Sequence, residues 1–291
     1  MRRAVSPSLH RLATRVPPHT YFVGSAICHY LGPAFAVLLV ARLEPLGVAW
    51  LRIVSAAVIL TIWRRPWRLA AAGRIDRPTA RLIVAWGCLL AAMNATFYLA
   101  IDRVPLGTVA AIEFLPVILL AAAAVRSLRN VVALMLAVAG VYLLTDVHLT
   151  DEPLGLAFAA INAVLFAGYI VLGHRVARNS AMSGIDGLTL AMVVAALTST
   201  PIGLADAAPA FAALTLLAAG VGVGLCSSVI PYVFDQLAMA RLARGTYALL
   251  VALLPATATV IGVIVLAQIP GLPEVTGVAL VVTGVAVHRL E

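Results

Sequence analysis

The stretch VAAIEFLPVILLAAAA, residues 109–124, decides the fold. Fifteen of its sixteen side chains are uncharged, mostly small or aliphatic, and the exception is Glu113. Lipid offers no water to backbone N–H and C=O groups, so such a run must satisfy them within a helix or a closed barrel. The chain as a whole repeats the pattern. Its 291 residues are 63% hydrophobic and 11% charged, with a mean hydropathy of +1.06. A soluble domain is about half apolar and a quarter charged. Barrel strands would alternate apolar and polar residues over about ten positions. The runs here are long and unbroken, so the fold class is an all-α membrane protein.

A helix needs about 20 residues, at roughly 1.5 Å each, to cross the hydrocarbon. Ten runs are read as spans, the fifth and tenth being the shortest: 20–40, 46–63, 82–101, 105–125, 130–146, 153–173, 187–205, 211–234, 245–267 and 273–288. The basic segment MRRAVSPSLHRLATR leads into a full-length span followed by others, so it is expected to be retained and not cleaved as a signal. Cys28, Cys88 and Cys226 fall singly inside spans, with neither metal nor disulfide spacing. No metal and no cofactor is expected.

Every one of the 20 basic residues is Arg. With the N-terminus in the cytoplasm, seventeen fall in inner segments, only Arg42 and Arg103 fall outside, and Arg52 lies within a span. Short loops rich in basic residues stay cytoplasmic, so both termini are expected there, in a multi-pass protein of a bacterial inner membrane. The net charge of +8 is spread over these loops. It points to anionic inner-leaflet lipid as a partner and not to nucleic acid.

An internal echo divides the chain. YLAIDRVPLGTVAAIEFLP (98–116) resembles QLAMARLARGTYALLVALLP (236–255), sharing Leu-Ala, Gly-Thr and a final proline at offsets of 138 to 139 residues. A second echo pairs LAVAGVYLL (136–144) with LVVTGVAVH (280–288). The expected domains are a basic cytoplasmic segment 1–19, a first repeat 20–149 and a second repeat 150–291. Each repeat holds five spans, an odd number, so the two must be inverted. Inverted repeats with a site near the midplane mark secondary transporters.

MNATFYLAIDRVPLGTVAAIEF (93–114) and SSVIPYVFDQLAMARLARGTYALLVALLPA (227–256) resemble the EamA-type drug/metabolite transporter superfamily, in its threonine/homoserine exporter-like branch. GVAWLR (47–52) and GLAFAAINAVLFAGYIVLGHRV (155–176) fit the same resemblance. It implies ten helices in two inverted repeats and export of amino acids or related small metabolites. The chain departs from that pattern at Leu254 before Pro255 and at Gln268, where glutamates are usual, and at His29 and Tyr30.

Charged and polar groups at mid-depth are the candidate site, because an intramembrane charge is costly and is retained for function. Arg52 lies about seven residues into its span and Glu113 about nine, so their depths differ by roughly 3 Å. Three readings of Glu113 stand together: a structural partner of Arg52, a group that binds a substrate ammonium or takes up a coupling proton, and a carboxyl kept neutral by its surroundings. Arg52 is either an inert snorkelling anchor or a clamp for a substrate carboxylate. His29 is a packing residue or a proton relay. Asn94 and Tyr98, one turn apart, are expected to face one lumen with these groups. In the second half Asn162 and Tyr169 share one face, and Ser227, Ser228 and Tyr232 gather near Pro231. Pro116 and Pro255 occupy equivalent places and are candidate hinges. GVGVG at 220–224 lies within a span with no preceding strand, so it is read as a close helix contact and not as a phosphate loop.

The expectation is therefore a non-enzymatic secondary transporter with a small-molecule substrate, working by alternating access, with proton coupling through Glu113 or His29. The competing classes are an intramembrane lipid-modifying enzyme, which would gather reactive groups at one interface, and a passive channel.

Overall fold

Prolines open three of the long helices, Pro45–Arg64 (α2), Arg77–Ile101 (α3) and Pro153–Ala177 (α6). At the first turn a missing N–H costs nothing, because that group has no intrahelical acceptor. The computed structural model describes residues 17, 19–29, 43–68, 75–104, 106–123, 127–144, 152–179, 182–251, 253–254, 257 and 271–287. The described residues are helical or turn, with no strand among them. Residues 19–29 form α1. The remaining helices are Leu106–Ala122 (α4), Leu128–Leu144 (α5), Gly184–Gly203 (α7), Ala208–Phe211 (α8), Leu214–Gly224 (α9), Ile230–Met239 (α10), Arg244–Val251 (α11) and Leu272–Val287 (α12). A π-helical turn, Leu225–Val229, joins α9 to α10.

Among the described residues, five helical stretches are long and apolar enough to cross a membrane: α2, α3, α6, α7 and the composite Leu214–Met239. The composite span corrects one boundary, since the sequence reading ended this run at 234. Large apolar side chains such as Ile62, Leu128, Tyr142, Val164, Leu197 and Leu214 point outward. Such a surface suits lipid, where apolar groups face both the core and the solvent.

The helices pair in a definite pattern. α2 packs along α7 and α9, α3 along α6 and α7, α4 against α6 and α11, and α5 along α12. α1 meets α10 through Tyr21 and Phe234, and meets α11 through Phe22 and Tyr247. Small residues permit close approach, as is usual between membrane helices. A Cβ on Gly203 would stand 2.5 Å from the Trp50 Cβ, and one on Gly140 2.6 Å from the Gly277 carbonyl oxygen. Two polar contacts tie α2 to α7: Trp50 Nε1 donates to Thr200 Oγ1 at 3.0 Å, and Arg64 Nε to Asp186 at 2.8 Å. The GVGVG expectation of close packing also holds. Gly220 abuts Leu51, and a Cβ on Gly224 would meet Ser55 and the Arg52 carbonyl.

Candidate functional site

Pro231 organises the centre of the molecule. In a regular helix the N–H of residue 231 would bond to the carbonyl of Ser227, and proline has none to offer. The chain widens into its π turn just ahead of this point. Arg52, from α2, takes up the liberated acceptor: its Nη2 donates to the Ser227 carbonyl at 2.7 Å. Its Nε donates to Ser228 Oγ at 2.8 Å, and Nη2 reaches the Tyr232 hydroxyl at 3.3 Å. Its guanidinium also lies 6.0 Å from the centre of the Tyr232 ring. Arg52 is buried, as are Ser227, Ser228 and Tyr232. A buried cation whose Nε and Nη2 both meet acceptors is held in place and does not snorkel.

Around this anchor the structure gathers most of the residues singled out by the sequence. Tyr98 and Glu113 lie within electrostatic reach of Arg52. Asn94 is buried, bonds back to the Leu90 carbonyl at 2.8 Å, and sits beside the Tyr232 hydroxyl. The His29 ring centre is 6.1 Å from that of Tyr232. Tyr169 stacks with Trp86 and with Phe166 and lies 5.4 Å from Tyr232, centre to centre.

Glu113 is only partly buried, and its Oε1 accepts from Asn162 Nδ2 at 3.1 Å. The ion pairs formed among the described residues are Arg64–Asp186 and Arg103–Asp102. The reading of Glu113 as a direct ion-pair partner of Arg52 is therefore corrected: the two share one region without touching, because Arg52 is committed to the π turn. Pro116 lies inside continuous helix α4. Pro255 lies outside the described residues.

One buried group escaped the sequence reading. Asp235 is 2% exposed. Its Oδ1 accepts from Ser25 Oγ at 2.6 Å and its Oδ2 from the Tyr169 hydroxyl at 2.7 Å. The Tyr247 hydroxyl approaches the same carboxylate. The available signal was the spacing of Ser228, Tyr232 and Asp235, which puts all three on one helical face. It was lost because the span was ended one residue too early. No group of three metal-ligating side chains stands together among the described residues.

Comparison with known proteins follows the same lines. No family model matches the chain. The threonine/homoserine exporter RhtA of Salmonella typhimurium (strain LT2) is 32% identical over 229 residues, covering 76% of this chain and 74% of that protein. The threonine/homoserine exporter RhtA of Escherichia coli (strain K12) is 32% identical over 226 residues with the same coverage. A solved crystal structure superimposes with a TM-score of 0.70 at 18% identity, over 92% of this chain and 96% of its own. That likeness extends to the fold alone.

Proposed function

Because the chain belongs to the family of the threonine/homoserine exporter RhtA, we propose that it exports threonine, homoserine or similar small amino acids from the cytoplasm. It is a multi-pass membrane transporter of small metabolites and not an enzyme. We place it in the EamA-type drug/metabolite transporter superfamily and in the bacterial inner membrane, with both termini cytoplasmic and inner-leaflet lipid around its basic loops.

The proposed architecture is ten helices in two inverted repeats, 20–149 and 150–291. The pairing pattern supports it. Exchange each span with the one five places along, counting α9 to α10 as the eighth. The α3–α7 contact then becomes α9–α2, and α3–α6 becomes α10–α1. The α4–α6 contact becomes α11–α1, while α2–α7, α4–α11 and α5–α12 map onto themselves. At the offset of 138, Asn94 corresponds to Tyr232, and these two are neighbours. Neighbours of that kind are expected beside an exchange axis. Alternating access would follow from rocking of the two repeats around a site near that axis, with Pro116 and Pro255 as hinges.

One observation carries the substrate reading. Among the described residues Arg52 is buried with neutral acceptors alone, and Glu113 stands nearby with an amide donor alone. Interior charges are normally paired. Two opposite charges that share a region without pairing suit a zwitterion, with Arg52 facing its carboxylate and Glu113 its ammonium. Asn94, Tyr98, His29, Tyr169, Ser228 and Tyr232 would complete the polar wall.

The test is counterflow of labelled threonine by purified protein in proteoliposomes. Homoserine is expected to compete, and the analogue lacking the amino group to fail. Glu113→Gln is expected to raise the half-saturating concentration more than about tenfold, the worth of one charge-assisted contact, with little change in melting temperature. If no amino acid exchanges, the function is misread. If Glu113→Gln exchanges like the parent protein, the ammonium site is misplaced.

A further inference from the structure

Asp235 is the buried titratable group that the substrate reading leaves unused. It sits where three other helices meet α10: α1 through Ser25, α6 through Tyr169 and α11 through Tyr247. Its partners among the described residues are all hydroxyl groups. Among the described residues no cation pairs with it, since the ion pairs there are Arg64–Asp186 and Arg103–Asp102. A carboxylate that serves packing alone is normally matched by a cation, because an uncompensated interior charge is costly. Hydroxyl partners are different in kind. They satisfy the ionised form as donors, and after reorienting they satisfy the protonated form as acceptors.

We propose that Asp235 is the site at which a driving proton binds, and that its protonation changes the grip of α10 on α1 and α6. The proposal rests on the transport reading above and replaces the sequence expectation that Glu113 or His29 carries the proton. When a proton arrives, an O–H bond forms on one carboxylate oxygen, which turns from acceptor to donor. The hydroxyl bonded to that oxygen must then give up its donation. At Oδ1 the loser is Ser25, whose Oγ also lies 3.2 Å from the Pro231 carbonyl and can turn to it. One bond between α1 and α10 is thereby exchanged for another without an orphaned hydroxyl.

The link to the substrate region is short. Tyr169 holds Asp235 at its hydroxyl and lies against Tyr232, whose own hydroxyl meets Arg52. A shift of Tyr169 on protonation is thus passed through one ring to the Arg52 fork. The titratable groups facing Asp235 are Tyr169 from α6, Tyr247 from α11 and Tyr232 from its own span. His29 lies one turn beyond Ser25 on α1 and faces Tyr232. Arg52 of α2 stands behind Tyr232. From α7, which also packs on α10, the sole charged residue is Asp186, bound to Arg64.

Two measurements test this. The first needs no transport: infrared titration of the membrane-embedded protein. A protonated-carboxyl band that titrates with pH is expected in the parent protein and in Glu113→Gln, and is expected to vanish in Asp235→Asn. A band that survives in Asp235→Asn and vanishes in Glu113→Gln overturns the proposal. The second uses proteoliposomes with labelled threonine. Asp235→Asn is expected to keep counterflow at equal pH and to lose accumulation driven by an acidic lumen by more than about tenfold. Asp235→Asn that still accumulates threonine, or a parent protein driven by sodium and not by pH, overturns it. Tyr169→Phe guards against a variant that merely fails to fold. It keeps the carboxylate and removes one donor, so the pH midpoint of the infrared band should rise by about one unit. An unmoved midpoint overturns the proposal. Absent threonine counterflow in the parent protein counts against the transport reading, and the infrared result still decides the fate of Asp235.

Discussion

The Arg52 guanidinium donates to the Ser227 carbonyl at 2.7 Å, across 175 residues of sequence. Pro231 has no N–H to offer that carbonyl, as residue 231 of a regular helix would. A backbone irregularity in one half of the chain thus positions a charge from the other half.

Arg52→Lys keeps the charge and loses the fork. A lysine reaches at most part of the set formed by the Ser227 carbonyl, Ser228 Oγ and the Tyr232 hydroxyl. A hydrogen bond from a charged donor contributes about 1.5–3 kcal/mol. Threonine counterflow is expected to fall by about tenfold or more, with a lower melting temperature in detergent. Exchange at the parent rate would mean that the planar geometry is irrelevant.

Pro231→Ala supplies an N–H that competes with Arg52 for the Ser227 carbonyl. Removing an interior proline relieves the helix of a cost of up to about 3 kcal/mol, so the melting temperature is expected to hold or rise. Transport is expected to drop several-fold, as the Arg52 fork loses its nearest acceptor. A variant equal to the parent protein in both measurements would show that the π turn does not set the position of Arg52.

Gly224 and Gly222 form an internal control. A Cβ on Gly224 would strike Ser55 and stand 2.9 Å from the Arg52 carbonyl oxygen, whereas one on Gly222 meets nothing within 4 Å. Gly224→Ala is expected to destabilise by about 1–3 kcal/mol through overpacking. Gly222→Ala is expected to be neutral or to stabilise by up to about 1 kcal/mol through helix propensity. Equal melting shifts for the two would contradict the α2–α9 contact described here.

Asp76 gives a pH dependence outside the spans. It caps α3 by accepting the Thr79 N–H at 3.1 Å. Hydrogen bonds from Thr79 hold its carboxyl below the usual carboxylate range. A lowered folded-state value means that the cap contributes above the unfolded value, about 3.9, and is lost as pH falls through the folded value. Asp76→Ala should therefore lower the melting temperature at neutral pH, and the gap should close in acid. A gap that persists in acid would show that the carboxylate is not the capping group.

Features set by local physics are legible in the sequence. The α2 span was read at 46–63 and is found at Pro45–Arg64, because transfer from water to lipid adds up residue by residue along a window. Glu113, Arg52, Asn94, Tyr98, Tyr169, Ser228 and Tyr232 stood out because polar groups are rare at such depth, and the fold brings them into one region. Asp235 was lost to the same averaging. The pair Asp235-Gln236 follows an apolar run, and a window read that pair as the start of a loop.

Composition and the length of the apolar runs determined that this is a helical membrane protein whose arginines gather mostly between those runs. Those properties depend on one residue and its near neighbours. Tertiary structure alone decided which groups meet: Arg52 with the Ser227 carbonyl, Glu113 with Asn162, Asp235 with Ser25 and Tyr169. Partnership depends on the rotation of each helix about its axis and on contacts between helices far apart in the chain. No window along the sequence contains both members of such a pair.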